Sequence, residues 1–108
     1  MNAVIQGNDK ELTDLVRQIV ERVHPLRVVL FGSAARGEAA PGDWDLMVLM
    51  PEGTHRRRTS QLLYANIHGI TNPFDLVVAT PSDLERYGQT SGLIYKAILH
   101  DGRALYAA

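Results

Sequence analysis

Apolar residues recur at helical spacing in the first part of the chain. Leu12, Leu15, Val16, Ile19, Val20 and Val23 form one stripe, which predicts an amphipathic helix over Asp9 to Val23. Asn8, with Glu11 three residues later, resembles an N-terminal capping pattern, and Pro25 stops the helix. The pattern then changes. Arg27 to Phe31 is a short, β-branched and apolar run, read as a strand and broken by Gly32. Ser33 to Gly42 is rich in small residues and reads as a turn with one short helix near Ala34 to Gly37. Trp44 to Met50 is almost continuously apolar after Asp45, which predicts a second strand buried on both faces.

A second long helix is predicted over Arg56 to His68, with Leu62, Leu63 and Ile67 facing inward. Phe74 to Ala79 reads as a third strand. Thr80-Pro81-Ser82-Asp83 has the composition of a helix start, with Pro at the first helical position and acids in the first turn. That helix runs to about Tyr87, another covers Ser91 to Leu99, and Arg103 to Tyr106 forms a final short strand after the Asp101-Gly102 turn. No repeat, low-complexity tract or linker interrupts this order. The expectation is one α/β domain over residues 1–108, with helices packed on a small sheet.

Composition narrows the partners. An apolar share of 45% and a charged share of 21% are ordinary for a globular domain. A 108-residue domain buries a limited core, so a second subunit, of the same or another chain, would stabilise it. The net charge of −1 gives no global basic field, so direct nucleic-acid binding is not expected. The absence of cysteine excludes disulfides and thiolate metal sites. Met1 to Asp9 has no apolar signal-peptide core, and no apolar run approaches the ~20 residues that cross a bilayer, so a cytoplasmic protein is expected.

The chemistry concentrates between Leu30 and Leu46. Side chains on a strand alternate faces, so Asp43 and Asp45 project to one side and Trp44 to the other. Two carboxylates about 5–6 Å apart repel by roughly 3 kcal/mol at an effective dielectric near 20. A hard divalent cation with oxygen ligands removes that penalty. Upstream, a strand that ends in Gly32-Ser33 and enters a helical turn exposes N–H groups suited to phosphate, with Gly32 permitting close approach and Ser33 adding a hydroxyl. Arg36 supplies a positive charge for phosphate or for a neighbouring acid. Asp75 opens the third strand and can join Asp43 and Asp45 at one end of the sheet. Three carboxylates suit two metal ions, and Asp75 can also serve as a general base toward a hydroxyl.

Gly32-Ser33, Ala35-Arg36-Gly37 and Asp43-Trp44-Asp45-Leu46 together resemble the signature of the DNA polymerase β-like nucleotidyltransferases, and most closely their minimal nucleotidyltransferase branch. The later Asp75 strand and the segment Ala79 to Tyr87 are also similar, so the resemblance covers nearly the whole chain. It implies a palm-like small mixed sheet with flanking helices. It implies Asp43, Asp45 and Asp75 as catalytic ligands of magnesium, two ions in all, and Gly32 and Ser33 at the triphosphate of ATP. It further implies an antitoxin that transfers AMP to a tyrosine hydroxyl on a helical HEPN-type toxin partner. The chain departs from the pattern in one place. Nine residues separate Ser33 from Asp43, one fewer than is common, and Gly42 stands where a serine usually precedes the first aspartate. This predicts a tighter turn with the carboxylates kept in place.

Other residues have simpler readings. Trp44 is expected in the core, and Arg56, Arg57 and Arg58 on a solvated face or against nucleotide, RNA or an acidic partner. His24, His55, His68 and His100 lack metal-ligand spacing. Tyr64, Tyr87, Tyr95 and Tyr106 read as half-buried packing residues. Two functions compete with protein nucleotidylation: a binding module that neutralises a partner by occlusion, and transfer to a small molecule such as an aminoglycoside, for which this length leaves no acceptor domain.

Overall fold

The computed structural model describes residues 9–37, 42–88, 98, 100 and 102–108. Helix α1 (Lys10–Val23) buries Leu12, Leu15, Val16, Ile19 and Val20, five members of the predicted stripe. Its cap is Asp9 rather than Asn8, which lies outside the described residues. The Asp9 carboxylate accepts from the N–H groups of Glu11 and Leu12 at 3.0 and 3.2 Å, so it satisfies two of the helix's orphan donors. The helix ends at His24, in the left-handed conformation at φ 48°, whose N–H returns to the Val20 carbonyl.

Strands β1 (Arg27–Phe31), β2 (Trp44–Leu49), β3 (Phe74–Ala79) and β4 (Arg103–Ala107) form one mixed sheet in the order β3-β2-β1-β4. β1 lies antiparallel to both β2 and β4, whereas β2 and β3 are parallel. A parallel pair needs a crossover, and α2 (Arg56–Asn66) provides it. β2 is central and covered twice. Trp44, Leu46 and Val48 join α1 and Leu63 in one core, while Met47 and Leu49 face Val29, Phe31, Ala79 and Ile98 in a second. Burial on both faces explains why this strand reads as an unbroken apolar run, and it places Trp44 in the core as predicted.

Helix α2 ends at Asn66, two residues before the expected His68, because Ile67 is extended and only its N–H still joins the helix, at Leu63. Its inward face also differs from the expectation. Leu63 is fully buried and Ile67 packs partly against the core, but Leu62 is 43% exposed. Adjacent helical positions diverge by ~100°, so a short helix laid over the sheet edge cannot bury both leucines. α3 (Pro81–Gly88) begins as predicted, after a turn in which the Thr80 N–H and hydroxyl both donate to the Asp83 carboxylate. The expected Ser91 to Leu99 helix lies mostly outside the described residues. Ile98 and His100 are helical, and Ile98 is buried. No helix among the described residues is long and apolar enough to cross a membrane.

Candidate active site

The parallel pairing of β2 with β3 decides where the acids lie. Trp44 is in register with Phe74 and Asp45 with Asp75. Neighbouring strands are about 4.8 Å apart, and paired residues point to the same face. Asp45 and Asp75 therefore stand side by side, on the sheet face that carries Met47, Leu49 and Ala79 further along. Asp43 immediately precedes β2. Asp75 and Asp43 are exposed, whereas Asp45 is partly buried.

Electrostatics ties the three together. Burial raises the Asp45 carboxyl above the ordinary aspartate range, and the charges of Asp75 and then Asp43 push it the same way. Each of these influences raises it, whereas at Asp83 burial is opposed by the charge and hydrogen bond of Arg56, which lower the carboxyl. Among them, no set of three or more His, Cys, Asp or Glu side chains is gathered tightly enough to hold a metal by itself. The donor set still suits magnesium, which takes one or two carboxylates and completes its shell with substrate phosphates and water.

Gly32 closes the other side. It follows β1, whose last residue, Phe31, pairs with Asp45. Gly32 has φ 75°, and a Cβ there would lie 2.6 Å from Asp45 Oδ2. The positive φ favours glycine, and a side chain there would displace the Asp45 carboxylate. The predicted short helix is a single turn through Ser33–Gly37: the Arg36 N–H donates to the Gly32 carbonyl at 3.2 Å and the Gly37 N–H to that of Ala34 at 3.3 Å. As at any helix start, the N–H groups of Ser33, Ala34 and Ala35 are not taken up by the turn itself. Arg36 is exposed on this turn and is engaged by another group. Residues 38–41 lie outside the described set. Beyond them, Gly42 returns against Ser33, and a Cβ on Gly42 would sit 3.5 Å from the Ser33 hydroxyl. That is ordinary contact, so the serine common at this point in the family would fit sterically.

One supporting residue had no signal in the sequence. Glu11, expected to complete the α1 cap, instead reaches the segment before β3. Its carboxylate accepts from the N–H groups of Thr71 and Asn72 at 2.9 and 2.7 Å and from the Thr71 hydroxyl. Hydrogen bonds from the Asn72 N–H and the Thr71 side chain hold it below the usual glutamate range. The next residue, Pro73, accepts from the Trp44 N–H at 3.0 Å. Glu11 thus fixes the lead-in that brings Asp75 level with Asp45. Of the tyrosines, Tyr106 is buried, and Tyr64 stacks on Phe74 at 5.9 Å while its hydroxyl accepts from the Leu76 N–H. The side chains of Tyr87 and Tyr95 are outside the described residues.

Comparison with known proteins gives the family and the fold. Residues 10–104 match the family described as nucleotidyltransferase domain, and the chain belongs to that family. In fold it is similar to a proposed nucleotidyltransferase from Sulfolobus solfataricus, with a TM-score of 0.51 and 18% identity over 93% of this chain and 89% of that one. No curated protein matches the chain in sequence. The domain is therefore a nucleotidyltransferase with a small mixed α/β fold.

Proposed function

We propose that this nucleotidyltransferase is metal-dependent and transfers a nucleoside monophosphate, AMP from ATP, to a hydroxyl on a partner protein. The observation that carries the reading is the β2–β3 register, which sets Asp45 beside Asp75 at the strand ends, with Asp43 one step away and Gly32 backed against the Asp45 carboxylate. Asp43, Asp45 and Asp75 would hold magnesium, as one or two ions, which neutralises phosphate charge and lowers the pKa of the attacking hydroxyl.

The chain's own groups supply position and proton transfer. The N–H groups and hydroxyl at Ser33, with Gly32 keeping the backbone close, receive the triphosphate, and Arg36 meets its outer charge. Exposed Asp75 accepts the proton of the acceptor hydroxyl as that oxygen bonds to the α-phosphorus. The bond from the α-phosphorus to the bridging oxygen breaks, and pyrophosphate leaves. The resemblance at Gly32-Ser33 and Asp43-Trp44-Asp45 supports a HEPN-type helical toxin as the acceptor and an antitoxin role for the chain, which nucleotidylates a tyrosine there.

The test is incubation with ATP labelled at the α-phosphate, magnesium and the helical partner encoded beside the chain. Label is expected on the partner and absent with Asp45→Asn. If the Asp43→Asn, Asp45→Asn double variant silences the partner as well as the unaltered chain does, neutralisation is by occlusion and the transfer reading is wrong.

A further inference from the structure

Helix α2 is poorly used by the fold. It buries one side chain, Leu63. Opposite Leu63, on an arc of roughly 160°, lie Tyr64, Arg57, Gln61, Ala65, Arg58 and Leu62, all exposed. The charge is also misplaced for a merely structural helix. Arg56, Arg57 and Arg58 occupy the first turn, which holds no acid, although the positive end of a helix favours carboxylates. Arg56 is neutralised by Asp83 at 3.0 Å. Arg57 and Arg58 have no ion pair among the described residues. One turn beyond Arg58, Leu62 is one of three large hydrophobic residues left exposed among the described ones.

We propose that the outward face of α2 docks an acidic, amphipathic segment of a partner protein. Carboxylates of that segment meet Arg57 and Arg58, and an apolar side chain seats on Leu62 and Ala65. Arginines beside a small apolar centre are the composition of a protein interface. RNA fits less well. The whole chain has a net charge of −1, and Tyr64, the aromatic residue at the margin of this arc, is already stacked on Phe74. A shallow, open depression lined by Thr54, His55, Arg56, Arg57 and Val78 adjoins the basic turn. Val78 lies at the far end of β3 from Asp75, so docking here leaves the acidic end of the sheet open. The inference draws on the proposed function only in supposing that a protein is the partner.

The experiment is a heteronuclear NMR titration of the whole chain with a synthetic helical peptide carrying glutamates around a leucine stripe. Parallel titrations use the same peptide with glutamine for glutamate, a single-stranded oligoribonucleotide, and Mg·ATP. The acidic peptide is expected to shift the amides of Arg57 to Ala65. Its affinity should fall at least about tenfold in Arg57→Glu/Arg58→Glu and in Leu62→Asp, both exposed changes that leave the fold intact. Equal binding of the glutamine peptide, unchanged binding by either variant, or preferential binding of the oligoribonucleotide overturns the proposal. So does a concentration-dependent dimer that Leu62→Asp dissolves, because the occupant is then a second copy. Peptide binding without Mg·ATP binding upholds the docking face and defeats the proposed reaction. The reverse result defeats the docking face alone.

Discussion

The two ends of the β2–β3 pair handle charge in opposite ways. Where the strands begin, Asp45 and Asp75 are set level with Asp43 close by, and the Asp45 carboxyl is raised by burial and by both neighbours. Where the strands end, opposite charges are matched. Arg56 pairs with Asp83, the Glu52 carboxylate accepts from the Ser82 N–H and hydroxyl, and Thr80 donates twice to Asp83. Burial pushes the Asp83 carboxyl up, but the hydrogen bonds from Thr80 and the charge and hydrogen bond of Arg56 outweigh it, so it is lowered. The acid at one end stands on the sheet, and that at the other on the helix that follows it. One arrangement is matched within the chain, whereas at the other every influence raises the Asp45 carboxyl, which is where the proposed function sets a cation.

Substitutions should separate the two ends sharply. For the magnesium site proposed above, Asp45→Asn is expected to weaken Mg·ATP binding and lower transfer by at least about 10²-fold, since loss of even an outer-shell partner of a metal costs about 10- to 100-fold. Asp83→Asn should leave both within a factor of about two. Calorimetry and labelled-ATP transfer on the same variants decide this. Gly32→Ala should destabilise the chain by more than about 1 kcal/mol, since alanine meets both the positive φ and the Asp45 carboxylate. Urea unfolding measures it. Asp83→Ala should cost about 1 kcal/mol through the hydrogen bonds lost from Thr80, with nucleotide binding intact.

The smallest effect concerns pH and carries opposite signs at the two ends. Asp45 is raised above its unfolded value, so its ionisation opposes folding. In metal-free buffer, stability from this group is full below the unfolded pKa and falls as pH rises through the raised one. Asp83 is lowered, so its contribution is present above its unfolded pKa and is lost as pH falls through the lowered one. Asp45→Asn should therefore raise the thermal midpoint near neutral pH without metal, and Asp83→Asn should lower it. Equal signs would break the comparison.

How much of this was legible in the sequence depends on how local the cause is. β1 and β3 have the predicted limits, Arg27 to Phe31 and Phe74 to Ala79, because each apolar run is bounded by residues that cannot extend it, Gly32 and Pro73 among them. The double burial of β2 was visible in its unbroken apolar run. Leu62 was misplaced because two adjacent leucines satisfy the same helical pattern and only packing chooses between them. The cap moved from Asn8 to Asp9 because either residue can cap, and backbone geometry selects one. The motif around Asp43 and Asp45 pointed to one locus, but the level pairing with Asp75 is a contact across thirty residues that only strand register fixes. Glu11 lies sixty residues from Thr71, and no periodicity links them.

The central claim is that Asp43, Asp45 and Asp75 form a magnesium–nucleotide site. Titration calorimetry of ATP into the chain, with magnesium and then with excess chelator, tests it most directly. The account predicts heat of binding with magnesium, none with chelator, and none for Asp45→Asn. Uptake that survives both the chelator and the substitution, or no uptake by the unaltered chain, would contradict it.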